Sequence, residues 1–276
     1  MKTKLLACCL MGLIMMFPAL AAAKTYVVGI EPAFPPWASV SQGKYQGIAP
    51  DAVRAMAKQQ GFNVKFKSMP FSSLIPALKA GKIDILATGL TVSANRAKKI
   101  DFTVPWWQVK IDALVKKSSN KNMVTALCCG ANVGAQTGST DYKWLEKNLV
   151  KKGVKIHIRT YSKGTTAIRD LKIGRINTYF LDNNTARKFL NKNSKSIRIA
   201  GQVDPQPPMV YALGVQKGNK KLLKILNRAE IKLYKSGKFA KIVHKYLPNI
   251  AVGKVPAPMP SDIPSYHQPV PGLSQK

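Results

Sequence analysis

The chain has 276 residues, 46% of them hydrophobic, with 44 lysines and arginines against 12 aspartates and glutamates and a formal net charge of +32. That length excludes a single small domain and leaves room for one large or two ordinary domains with substantial cores. The charge attracts polyanions of every kind. The basic residues are nevertheless spread along the chain instead of forming one arm with interleaved aromatics, so they read as a solvated surface, weakly adhesive to anionic surfaces, and no specific nucleic-acid partner is expected.

At the N-terminus, Lys2 and Lys4 precede an apolar run from Leu5 to Leu20 that ends in Ala21, Ala22 and Ala23. This is the pattern of a secretory signal peptide, cleaved after Ala23, and predicts a periplasmic protein. A membrane anchor fits less well, because about 16 apolar residues fall short of the roughly 20 that a span requires and Pro18 interrupts them. Leu5, Leu6, Ala7 and Cys8 resemble a lipidation box, yet only three apolar residues precede that cysteine. The mature chain keeps only Cys128 and Cys129, so no disulfide framework holds it together. The adjacent thiols can form a vicinal disulfide, bind a soft metal or be two buried small residues; the last is preferred, since no histidine or second pair stands nearby.

Alternation from Tyr26 to Ile30 predicts a first strand, followed by a loop with Pro32, Phe34, Pro35, Pro36 and Trp37. A helix starts at Pro50 and Asp51, buries Val53, Met56 and Ala57, and ends at Gly61. Phe62, Val64 and Phe66 form a strand, Phe71, Leu74, Ile75 and Leu78 a helix stopping at Gly81, and Ile83 to Thr88 a third strand. After about residue 115 the same grammar returns. Val133 to Gln136 is a strand, a helix starts near Ser139, and Val154, Ile156 and Ile158 alternate as a strand. A helix carrying Ile168 and Leu171 ends at Gly174, and Ile176 to Leu181 is a strand. Helices follow from about Asn219 to Lys235 and from Lys238 to Tyr246. Strands alternating with helices at this spacing indicate βαβ units, an α/β fold and a mostly parallel sheet in each half. Beyond residue 250 a proline-rich tail, 251–276, is expected to be extended or disordered.

Five segments in this order, VGIEPAFPPW at 28–37, LIPALKAGKIDILATGLTVSANR at 74–96, IDFTVPWW at 100–107, VGAQTGST at 133–140 and GRINTYFLD at 174–182, resemble the extracellular solute-binding proteins of family 3. These are the periplasmic partners of amino acid ABC transporters. The resemblance covers Thr25 to about Leu247. It implies a two-lobed periplasmic-binding-protein fold of type II. Lobe 1 would be discontinuous, 24–114 and 211–250, and lobe 2 would be 115–210. Two crossing hinge strands, near Ala113 to Lys116 and Tyr211 to Gly214, would join lobes that close on a ligand. The partners implied are a free L-amino acid and an inner-membrane permease, with the protein acting as a monomer.

A zwitterion needs a cationic fork for its carboxylate and an anion for its ammonium. In the family pattern the arginine of TGLTVSANR, Arg96, takes the carboxylate, which suits its planar guanidinium. Thr91 adds a hydroxyl, and Thr88 and Gly89 add main-chain groups. Asp182, ending FLD, accepts from the α-amino group. Taken alone, Arg96 is one surface cation among many and Asp182 a helix cap ahead of Asn183, Asn184 and Thr185. Ser139 and Thr140 offer donors at a helix N-terminus, where Ser139 is also an ordinary cap. Glu31, Phe34 and Trp37 would set side-chain preference. An acid after the first strand with an aromatic three residues later resembles relatives that bind arginine, lysine, ornithine or histidine, with cation–π attraction of roughly 0.5–2 kcal/mol from the ring. Relatives specific for glutamine also carry an acid there. Trp37, Trp106 and Trp107 read otherwise as core or lobe-surface aromatics.

Cyclohexadienyl dehydratases also resemble this family and would require a general acid in the cleft. No acid beyond Glu31 and Asp182 points there, and His157 and His244 read as structural. No nucleophile elbow, metal cluster or phosphate loop appears, so neither an enzyme nor a cofactor or metal is expected. A ligand sensor, or an adhesive protein using its basic surface, is the remaining alternative.

Overall fold

The structure, a computed structural model, describes residues 23–253. The expected signal peptide up to residue 22 and the proline-rich segment from residue 254 lie outside them. Two five-stranded sheets organise the rest. In the first, the order is Asn63–Ser68, Thr25–Ile30, Ile85–Leu86, Gly214–Gln216 and Ile100–Phe102. Thr25–Ile30 pairs in parallel with both its neighbours, whereas Gly214–Gln216 arrives from the far end of the chain and pairs antiparallel on both sides. The second sheet runs Ile156–Tyr161, Ala131–Gln136, Thr178–Asp182, Ile111–Lys116 and Ile197–Val203. Its first three strands are parallel and its last two antiparallel. Each sheet is thus a βαβ unit closed by an antiparallel strand, and each forms a lobe.

Sequence chemistry sets the element ends. The first helix, Ile48–Gln60, ends at Gly61, whose φ of 68° is the left-handed conformation that glycine adopts without a Cβ clash. Its buried face, Val53, Met56 and Ala57, packs with helices Lys220–Lys235 and Lys238–Tyr246 over the first sheet. Val28, Ile30, Trp106, Leu226, Leu233 and Phe239 belong to the same core. In the second lobe one face of the sheet packs Ile168, Leu171 and Phe189, and the other packs Val133, Leu145 and Phe180. No helix among the described residues is long and apolar enough to cross a membrane.

Two expectations need correction. The hinge does not fall at Ala113 to Lys116, because Ile111–Lys116 lies inside the second sheet, hydrogen-bonded to a strand on each side. Its first five residues are all buried, as a strand covered on both faces requires. The two-stranded antiparallel ribbon between the sheets is Trp107–Val109 with Met209–Tyr211, so the second crossing ends at Tyr211 and Gly214 already belongs to the first sheet. Nor are the cysteines two buried small residues. Cys128 and Cys129 form a vicinal disulfide in the loop before Ala131–Gln136, with Cys128 half-buried and Cys129 exposed at φ 59°.

Leu226 is completely buried under the first sheet. Leu226→Ala is expected to lower unfolding free energy by about 2–5 kcal/mol in urea titration, whereas Val124→Ala, at a position 73% exposed, should change it by less than about 0.5 kcal/mol.

Candidate functional site

In open α/β sheets, ligands collect beyond the carboxyl ends of the strands, where loops and helix N-termini converge. Glu31 follows Thr25–Ile30 directly, and Thr88 to Thr91 follow Ile85–Leu86. Arg96 lies in the single turn Ala94–Ala97, where the Ser93 hydroxyl accepts from its backbone N–H at 3.4 Å. From the second lobe, Gln136 ends the strand Ala131–Gln136 and Ser139 caps the helix Thr140–Asn148, accepting from the Tyr142 N–H at 3.0 Å. Asp182 ends Thr178–Asp182 and caps the helix Asn183–Asn193.

These edges face each other across the interlobe cleft, and four hydrogen bonds cross it. Gln136 Nε2 donates to Glu31 Oε2 at 2.9 Å, and Trp37 Nε1 donates to Asp182 Oδ2 at 2.9 Å. Thr140 Oγ1 donates to Thr91 Oγ1 at 2.9 Å. Arg96 spans both lobes, with Nη1 donating to the Thr91 carbonyl at 2.7 Å and Nη2 to the Gly138 carbonyl at 3.2 Å. Its guanidinium also lies 5.2 Å from the centre of the Phe71 ring. Phe34 packs against the backbone of Gly89, where a Cβ would stand 2.5 Å from the ring, so only glycine admits this approach. Trp37 is fully buried, edge-on to Tyr211 and Trp107 at 4.9 and 5.5 Å, and acts on the cleft through the carboxylate it holds.

Both readings of Asp182 hold in the geometry. It caps its helix, accepting from the Asn184 and Thr185 backbone N–H groups and from the Thr185 hydroxyl, and it faces the opposite lobe through Trp37. Three residues that the sequence did not single out join the cleft: Gln136, Asp141 and Tyr211. Gln136 stands inside the quoted VGAQTGST segment. Asp141, at the second position of its helix, has the appearance of an acid placed there for the helix dipole.

Burial dominates the electrostatics. Glu31 is 2% exposed, and desolvation raises its pKa to about 7 against the opposing bond from Gln136. Desolvation, reinforced by the neighbouring charge of Asp182, raises Asp141 to about 7, with Arg96 opposing. Asp182 is also raised by burial, although all its hydrogen bonds pull the other way. Arg96 is lowered to about 10 by desolvation and remains a cation at neutral pH. Glu31 Oε1 and Thr88 Oγ1 are buried without a hydrogen-bond partner among the described residues. Each such atom carries a desolvation penalty that a polar ligand group can relieve.

The profile of the bacterial extracellular solute-binding proteins, family 3, matches residues 26–249. The chain belongs to this family. The L-cystine-binding protein TcyJ of Escherichia coli K12 is 30% identical over 224 residues, 80% of this chain and 82% of TcyJ. An ancestral arginine-binding protein bound to arginine superimposes with a TM-score of 0.74 at 33% identity, covering 82% of this chain and 99% of that one. The ancestral amino acid-binding protein AncCDT-1, a precursor of cyclohexadienyl dehydratase, gives 0.71 at 26% identity over 80% of this chain and 94% of its own. This solute-binding protein is therefore of the kind that binds amino acids for ABC transporters, and its family works outside the cytoplasm.

Because the folded pKa of Glu31 lies above its ordinary value of 4.5, the group favours folding most below pH 4.5 and progressively less up to about pH 7. The unfolding free energy of the wild type minus that of Glu31→Gln should thus fall by on the order of 3 kcal/mol between those limits and stay level above them. Parallel stability profiles for the two proteins across that window would mean that the carboxyl is not desolvated.

Proposed function

We propose that the cleft captures a free cationic L-amino acid, arginine, lysine, ornithine or histidine, and presents it to the membrane permease of an ABC transporter. The charge balance of the cleft supports this reading. Glu31, Asp141 and Asp182 are buried there, and Arg96 is the one buried cation among the described residues. A ligand with one carboxylate and two cationic groups complements that set. Its carboxylate pairs with Arg96, flanked by the Thr91 and Thr140 hydroxyls and the helix start at Ser139. Its α-ammonium pairs with Asp182, and its side-chain cation lies towards Glu31 and Asp141. Phe34, Trp37, Thr88 and Gly89 shape the wall on the first lobe. The arginine-bound ancestral structure favours the same class.

The similarity to TcyJ favours a second ligand, cystine. Cystine brings a second carboxylate, for which no further buried cation stands among the described residues. No catalytic step is proposed, since the carboxylates suited to general-acid work are those that the ligand's cations would occupy.

A thermal-shift panel of amino acids tests both ligands. Ligand at about 100 times its dissociation constant stabilises by about 2.7 kcal/mol, so a cationic amino acid should raise the melting temperature and cystine should not; the reverse result transfers the cleft to cystine. Arg96→Ala and Asp182→Asn should each weaken binding by about 2–5 kcal/mol by titration calorimetry. Asparagine keeps the helix cap, so the second variant separates ligand binding from folding. Glu31→Gln should weaken arginine more than glutamine, and equal losses for both would remove Glu31 from side-chain recognition.

A further inference from the structure

We propose that the outer face of the two C-terminal helices docks this protein on an anionic phospholipid membrane. In the helix Lys220–Lys235, the residues Lys220, Lys224, Arg228 and Lys232 recur at every fourth position, and all four are exposed. They form one row about 18 Å long, from the rise of about 1.5 Å per residue between Lys220 and Lys232. Lys238 and Lys241 continue the exposed basic face on the next helix. The single acid of the two helices, Glu230, is completely buried on the opposite face. None of these six cations has a carboxylate within 4.0 Å among the described residues.

Like charges four residues apart repel and destabilise the helix that carries them. The fold gains nothing from this row, because the opposite face, with Leu222, Leu226 and Leu233, anchors the helix to the core. An anionic surface turns the same repulsion into attraction, each cation near the lipid headgroups adding its own share.

The chemistry of the face selects the occupant. Five of the six cations are lysines, compact point charges that suit a diffuse layer of headgroups and lack the bidentate fork with which arginine reads individual phosphates or bases. None of the large exposed hydrophobic residues, Val40, Val124, Val150 and Ile173, lies on these helices, so a protein partner would find no apolar anchor. Among the described residues no tryptophan, tyrosine or phenylalanine is exposed, so these helices offer no large aromatic face on which a nucleic-acid base could stack. The face belongs to the first lobe and includes no residue of the cleft. A protein that serves a membrane transporter would stay close to the bilayer while its cleft remained open to ligand.

Sedimentation with phospholipid vesicles tests the proposal, using protein purified after expression of the full sequence. Vesicles with about 30% phosphatidylglycerol in phosphatidylcholine should bind the protein, pure phosphatidylcholine should not, and binding should fade as salt rises from about 0.05 to 0.5 M. The combined variant Lys224→Gln, Arg228→Gln and Lys232→Gln should bind about 100-fold more weakly, three cations at roughly fivefold each, and should melt no lower than the wild type. The control Lys151→Gln, Lys152→Gln and Lys192→Gln removes the same charge from exposed sites on the second lobe and should retain binding within about threefold. Equal losses in the two variants, binding without phosphatidylglycerol, or tighter binding to duplex DNA than to vesicles would each overturn it. Amino-acid binding measured on the same variants reports on the cleft separately.

Discussion

A carboxylate removed from water is several kcal/mol worse off unless positive charge or hydrogen-bond donors replace its hydration, and the cleft removes three around a single guanidinium. Everything nearby serves that imbalance. Asp182 receives donors from its own helix start and from an indole on the other lobe, and Glu31 receives one from Gln136. Even so, desolvation outweighs these bonds and shifts both acids upward. A cleft in that condition attracts cations and protons alike, and it presents its one guanidinium where a carboxylate can reach it.

Closure and capture draw on the same atoms. Arg96 is tied to the Thr91 carbonyl of its own lobe and to the Gly138 carbonyl of the other, so its orientation depends on how the lobes stand. Tyr211, on the ribbon between the sheets, packs edge-on against Trp37, which holds Asp182. The hinge and the site are therefore one continuous set of contacts, and a lobe movement alters the partners of the acids directly.

The α/β plan was legible because strands such as Tyr26 to Ile30 and helices such as the one ending at Gly61 carry their own period and punctuation. The residues gathered at the cleft were legible mainly through the order of five segments, since periodicity alone made Arg96 a surface cation and Asp182 a cap. Asp141 was missed because an acid in the first turn of a helix has a sufficient local explanation, and only the fold shows Arg96 and Asp182 beside it. The hinge was misplaced because the apolar stretch Ala113 to Val115 within Ile111–Lys116 fits a buried inner strand as well as a connector. The cysteine pairing lay beyond sequence reading, for adjacent thiols are compatible with several local conformations.

The position of Gly214–Gln216 in the first sheet carries a consequence for assembly. This strand is not an edge but sits between Ile85–Leu86 and Ile100–Phe102. The second sheet, in contrast, is contiguous between Ile111 and Val203. A chain released from its N-terminus can therefore finish the later lobe first, while the earlier one waits with an unfilled slot for a segment over a hundred residues downstream. Whatever meets the polypeptide during that interval meets an unpaired strand edge, and the last part to arrive locks the first part made.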